Sequence, residues 1–193
     1  MVVSMILFCF LSMFSGELLF IHQLVAQKKQ ERQVLEQIKE DAVYFPIKNS
    51  NQINYTDSYG GERNFLGKRT HEGCDLMSKT NIRGEIPVFS MSDGVIENKG
   101  WLTLGGWRVG IRSKHGMYFY YAHLDSYAKN IEIGQSIYAG QLLGFMGDSG
   151  YGEEGTIGQF AVHLHLGIYD TEDHSVNPYE ILKELQENEK EKE

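Results

Sequence analysis

The residues best suited to hold a metal ion or move protons fall on three short segments. "HEGCD" carries His71 and Asp75, "YYAHLD" carries His123, and "AVHLHLGIY" carries His163 and His165. Successive side chains of a strand point to opposite faces. His163 and His165, separated by Leu164 alone, therefore share one face, while Ala161, Val162, Leu164 and Leu166 supply core-forming bulk around them. Two neighbouring polar rings on an apolar strand carry a cost unless something binds them. Zinc takes imidazole nitrogen and carboxylate oxygen in a tetrahedron, and a catalytic zinc keeps three protein ligands and one water. Five such groups on three separated segments suit that ion.

Spacing constrains how the segments can meet. A fully extended chain would hold His71 and Asp75 about 13 Å apart, yet each ligand atom must come within about 2 Å of the metal. The chain must bend between them, and Gly73 permits the bend. The His-x-His pair needs none. Asp125, beside His123, is read as a turn cap rather than a ligand. His22 in the apolar leader, His115 in a turn and His174 in the loop "TEDHSVNP" are assigned no chemistry. Cys74 is expected to be a buried, inert thiol, since its strand neighbour Asp75 would point the other way.

The elements that must position these groups read as strands. Between about residues 44 and 180 the pattern is strand, Gly turn, strand. Asp93-Gly94 marks one turn, and "WRVGIRSKHGMYFYYAHL" (107–124) has a hairpin signature turning at His115-Gly116. Glycines recur at 134, 140, 144, 147 and 150. With 21 Gly, 3 Pro, 11 Tyr and 10 Phe among 193 residues, the composition favours many strands joined by Gly turns. The expected fold is mostly β, with antiparallel sheets and a groove across one face. A formal charge of −8 without a basic patch argues against a nucleic-acid partner. Two cysteines, Cys9 and Cys74, do not make a disulfide framework.

Four regions are expected. Residues 1–26 read as a membrane anchor or a signal segment. An uncleaved anchor is preferred, because the best cleavage position, after Ala26, has Leu24 where a small residue belongs. Read together, residues 1–25 reach the ~20 residues that span a bilayer. A cleaved signal and a buried N-terminal helix are the alternatives. Lys28, Lys29 and Arg32 follow the apolar stretch and none precedes it, which by charge bias opposes export. Residues 27–45 read as a helical stalk or linker, 46–182 as the domain that carries the chemistry, and 183–193 as a charged tail, frayed where the helical stretch 180–193 ends the chain.

The joint pattern His71-x-x-x-Asp75, "AHLD" (122–125) and His163-x-His165 resembles the lysostaphin/LytM-type zinc endopeptidases, cell-wall peptidases with a duplicated-hybrid-motif, biotinyl/lipoyl-like β fold. "SDGVI" (92–96), "IEIGQSIYAGQLLGFMGDSG" (131–150) and "NPYEIL" (177–182) resemble that family's turn, Gly-rich and closing segments, so the likeness spans roughly residues 60–182. It implies that His71, Asp75 and His165 ligate Zn2+ and that His123 and His163 are the catalytic histidines, one exchanging a proton and the other hydrogen-bonding developing charge, in an order left open. It implies a metallopeptidase domain at 46–182 that hydrolyses peptide cross-links of bacterial peptidoglycan. The catalytic domain would then lie outside the cytoplasmic membrane, held by a single N-terminal span or secreted. The alternative is a non-catalytic envelope module of the same fold that binds peptidoglycan or activates wall hydrolases. Two stretches depart from the pattern, "KGWLTLGGWR" (99–108) and "YGEEGTIGQFAV" (151–162), and both are expected to border the groove. Tyr118, Tyr120 and Trp101 are expected either to line the groove or to pack in the core.

Overall fold

In the computed structural model the backbone is described for residues 2–190 except Leu66, and the side chains for residue 18 and for residues 20–190 except Leu66. The chain divides into two compact units, Met1–Gln37 and Ile38–Glu193. Helix α1 (Val2–Asp41) makes up the first, and its last turn, from Ile38, opens the second. Good helix formers from Gln27 to Glu40 carry it that far. The expected membrane segment at 1–26 falls mainly on side chains outside the described residues. Among the described residues no helix is long and apolar enough to cross a membrane.

After α1 the chain runs through short strands β1 (Ile53–Asn54), β2 (Glu62–Arg63) and β3 (Arg69–Thr70), then β4 (Cys74–Ser78), β5 (Pro87–Phe89) and β6 (Gly94–Leu102). Strands β7 (Gly106–Arg112), β8 (Tyr118–Tyr127), β9 (Ser136–Ile137), β10 (Leu142–Met146), β11 (His163–Tyr169) and β12 (Ser175–Val176) follow, and α2 (Tyr179–Lys190) closes the described chain. Among the described residues ten strands form one antiparallel sheet with the path β1-β4-β11-β8-β7-β6-β9; β10 bridges β8 and β5, β12 pairs with β11, and β2 pairs with β3 separately. The turn expected at His115-Gly116 closes the β7–β8 hairpin, with Gly116 N–H donating to Ser113 O.

Alternation decides the two faces. Leu164, Leu166 and Ile168 of β11, Cys74 and Leu76 of β4, Phe119 and Tyr121 of β8, and Val109 and Ile111 of β7 are all fully buried. Each such side chain stabilises the fold by roughly 1.5–3 kcal/mol through burial. A slip of one residue would turn that whole set to the opposite face, so the register is strongly specified. The buried Tyr121 hydroxyl is not orphaned, because Met91 N–H donates to it at 2.8 Å. The helical stretch expected at 180–193 is helix α2 over the described residues. The Asn177 side chain caps its first turn by accepting from Tyr179 N–H at 3.0 Å, and Ile181, Leu182 and Leu185 are buried along one side. Residues 191–193 lie outside the described residues.

Candidate active site

The other face of the same sheet forms the floor of a cleft of about 810 Å³. The register brings the pieces together: His165 of β11 stands opposite Asp75 of β4 on one side and opposite Ala122 of β8 on the other. Asp75, His163 and His165 line the cleft with His71 and His123. All five side chains singled out in the sequence thus converge.

His71 reaches the cleft from the loop before β4, which is pinned by His71 N–H to Gly61 O at 2.8 Å and Gly60 N–H to His71 O at 2.8 Å. Its Nδ1–H donates to Ser58 O at 2.7 Å, so a neutral ring presents a lone pair at Nε2. That atom lies 2.9 Å from Asp75 Oδ1 and 2.9 Å from His165 Nδ1, and His165 Nδ1 lies 3.0 Å from Asp75 Oδ1. Lone pairs held that close repel unless a proton or a metal cation sits among them. An ion bonded to all three at about 2.0–2.1 Å would set tetrahedral edges of roughly 3.3 Å, within a few tenths of those observed. Two imidazoles and a carboxylate are also a donor set that catalytic zinc accepts. The residues present fit the ion.

The support around these atoms was not legible beforehand. Arg63 Nη2 donates to Asp75 Oδ2 at 2.5 Å, leaving Oδ1 for the centre. Burial raises the Asp75 carboxyl pKa, but the facing His165 and His71 rings outweigh it and hold the group far below the usual carboxylate range. Gly73 serves differently from the expectation. Its φ is not in the left-handed region; what it supplies is room, since an added Cβ would collide with Leu166 O and meet His165 Cε1 at 2.7 Å.

His123 shows the largest departure from simple strand logic. Strict alternation would send it to the core beside Tyr121. Instead the β7–β8 register shifts between Trp107 and Val109, and His123 takes φ +62°. A bulge of this kind re-aims a side chain, here into the cleft. His123 Nδ1–H donates to Ser149 O at 2.7 Å and His163 Nδ1–H to Ala161 O at 2.7 Å. Both rings then offer Nε2 to the cleft, with ring centroids 4.7 Å apart. Burial lowers the pKa of both, neighbouring histidines lower that of His123 further, and Asp75 partly opposes the shift in His163. Both are neutral at neutral pH.

Other readings are sorted by position. Tyr118 and Tyr120 line the cleft, as do Leu102 to Gly105 of one unusual stretch and Tyr151, Phe160 and Ala161 of the other. Trp101 does not: it packs edge-on against Trp107 and donates to Gly152 O at 3.3 Å. Asp125 is no turn cap; it accepts from Arg83 Nη2 at 2.6 Å within β8. His115 pairs with Asp41 at 2.8 Å and His174 with Asp170 at 3.3 Å, both away from the cleft. Cys74 is buried, and burial pushes its thiol up to about 12. Arg63, Arg69 and Arg108 all line the cleft; no periodicity marks such residues in the sequence.

The profile of peptidase family M23 matches residues 69–178, which contain every one of the five converging side chains. The chain belongs to peptidase family M23. This M23 chain is 42% identical over 142 residues to an L-Ala–D-Glu endopeptidase of Bacillus subtilis, a match covering 72% of the chain and 42% of that protein. A structure from Ruminococcus gnavus described as a candidate LytM glycyl-glycine endopeptidase is similar at 56% identity with TM-score 0.70, covering 77% of this chain and 62% of that one. The catalytic domain of lysostaphin from Staphylococcus simulans is similar at 28% identity with TM-score 0.55, covering 69% of this chain and 95% of that domain. The matches span less than half the length of the curated relatives.

Proposed function

We propose that this M23 chain is a zinc-dependent endopeptidase hydrolysing peptide cross-links of bacterial peptidoglycan. The observation that carries the reading is the convergence of His71 Nε2, Asp75 Oδ1 and His165 Nδ1 within 3.0 Å of one another, with His123 and His163 beside them. The names of its relatives, endopeptidases of L-Ala–D-Glu and glycyl-glycine bonds, supply the substrate class.

His71, Asp75 and His165 would hold the ion, with Ser58 O and Arg63 fixing the orientation of two of them. Bound zinc supplies a water of pKa near ~7 and polarises the scissile carbonyl. The chain's own residues do the rest. His123 and His163 are neutral, each with its Nδ1 proton committed to a backbone carbonyl, so Nε2 of either can take a proton and return it to the leaving amine. The other ring, once protonated at Nε2, donates to negative charge on the substrate oxygen. The aromatic walls of Tyr118, Tyr120, Tyr151 and Phe160 shelter the site from bulk water. Since the substrate lies outside the cytoplasmic membrane, export belongs to the same proposal, with residues 1–26 as its anchor or signal on the strength of their sequence.

The test is mass spectrometry of fragments released from defined muropeptides, with zinc measured in parallel. The expected result is one bound zinc, fragments from peptide-bond cleavage, and loss of both on chelation with recovery on zinc addition. Zinc bound without release from walls of several cross-link types would overturn the enzyme reading in favour of a non-catalytic envelope module.

A further inference from the structure

The Gly-rich stretch 131–150 ends on Gly147-Asp148-Ser149-Gly150, and this end supports the bulge that turns His123 into the cleft. Trp107 of β7 and Leu124 of β8 are strand partners beside the register shift. Ser149 Oγ ties them together: Trp107 N–H donates to it at 3.0 Å, and its own O–H donates to Leu124 O at 2.7 Å. Ser149 is 1% exposed, so one buried hydroxyl satisfies two main-chain groups, as acceptor to one and donor to the other. The carbonyl of the same residue accepts from His123 Nδ1–H at 2.7 Å.

The surrounding backbone is packed just as closely. A Cβ on Gly106 would collide with Ser149 O, and one on Gly150 would stand 2.6 Å from Leu104 O. The turn pressed against Ser149 also accepts His123 N–H, through Gly105 O at 2.8 Å. Main chain and ring of His123 are thus gripped by two segments in contact with each other. Two residues before Ser149, Gly147 O accepts His163 N–H at 3.0 Å. The stretch 147–149 therefore spaces the two histidines whose ring centroids lie 4.7 Å apart.

The tautomer of an imidazole is set by the partner of its other nitrogen. With Ser149 O on Nδ1–H, the lone pair of His123 stays on Nε2, facing the cleft. If that carbonyl tilts, the ring turns or its proton moves to Nε2, and the basic atom is lost. A loop carbonyl keeps its direction only while its loop is anchored. Without the hydroxyl, Trp107 N–H and Leu124 O would be left buried and unpaired, a cost the backbone relieves by shifting.

We infer that Ser149 is a positioning residue: its hydroxyl, bridging Trp107 and Leu124, pins the carbonyl that fixes the ring orientation and tautomer of His123. The consequence for turnover rests on the endopeptidase reading; the placement of the ring does not.

The test is nitrogen NMR of histidine-labelled, zinc-loaded protein at neutral pH. Wild-type His123 should show a protonated Nδ1, slow to exchange, and a bare Nε2. Ser149→Ala should replace this by mixed tautomers at His123, while His163 keeps its own signature and zinc content stays at the wild-type level. Ser149→Thr retains the hydroxyl and should restore the wild-type spectrum. Ser149→Cys, close in size but only a weak donor, should fall between, and it reads the effect should the alanine variant fail to fold. Turnover of muropeptides should follow the same order, with kcat down about 10–100-fold in Ser149→Ala, the scale of a lost orienting partner, and KM little changed. Residues that act as a unit are non-additive, so the double variant with His123→Ala should be no slower than His123→Ala alone. An unchanged His123 signature in both Ser149→Ala and Ser149→Cys, or a disturbance that spreads equally to His163 or releases the zinc, would overturn the inference. The expected spectra without turnover by the wild type would strike the enzyme reading alone.

Discussion

Substituting Gly73 by Ala should disarm the site without touching any candidate ligand. The added Cβ would collide with Leu166 O and stand 2.7 Å from His165 Cε1 and 2.9 Å from Nε2. Leu166 is held in the ladder opposite Cys74, so its carbonyl cannot yield cheaply, and the His165 ring must. Ordinary carbon contacts begin near 3.5 Å, which demands a retreat of roughly 0.8 Å. The edges of the ligand triangle are only 2.9–3.0 Å, and metal sites tolerate errors of about 0.2 Å. Zinc affinity should therefore fall at least 10–100-fold, the scale seen when a ligand's support is lost. Overpacking adds about 1–3 kcal/mol of destabilisation, or roughly 2–12 °C in Tm for a domain of this size. Competition against a chromophoric chelator reads the first quantity and thermal melting of chelated protein the second. Gly155→Ala, at φ +91° with open space around it, controls for backbone strain alone: it should lose some stability and keep its zinc. A Gly73→Ala protein that binds zinc like the wild type and melts with it would refute the reasoning.

His165→Ala should abolish zinc binding and hydrolysis together, and His123→Ala should keep zinc while turnover falls about 10²–10⁴-fold; metal release from the latter, measured by zinc analysis, would contradict the division of roles. Arg63→Ala removes the 2.5 Å bond to Asp75 Oδ2 and should weaken zinc by about 10–100-fold in the same chelator competition. In a Cys9→Ser background, Cys74 should resist a thiol reagent at pH 8 until the protein unfolds, since a pKa pushed to about 12 leaves a thiolate fraction of about 10⁻⁴. The same shift has a thermodynamic sign. The folded pKa lies above the unfolded value, so the stability it contributes is intact below about pH 9 and drains away as pH rises toward 12, which alkaline denaturation would reveal.

The His163-x-His165 pair was readable from the sequence because its cause is local: a strand alternates, and Leu164, Leu166 and Ile168 must face the core. The mostly β architecture followed from the same alternation and from glycine punctuation. Cys74 was legible as inert on that ground too. The need for a bend between His71 and Asp75 was readable, but its means was not, for the crowding at Gly73 comes from His165 and Leu166, far along the chain. The helical tail was readable as a helix but its docking was not, because Ile181, Leu182 and Leu185 find a partner surface only in the folded chain.

What only the tertiary structure decided is non-local in origin. His123 faces the cleft because two strands, β7 and β8, fall out of step by one residue, and a mismatch between strands has no signature within either. The commitment of Arg63 to Asp75 likewise depends on which loops and strands become neighbours. Sequence alone determined which residues could bind a cation and which face two of them share. The folded sheet determined which atoms point at one another, because strand order and register are set by burial summed over the whole core.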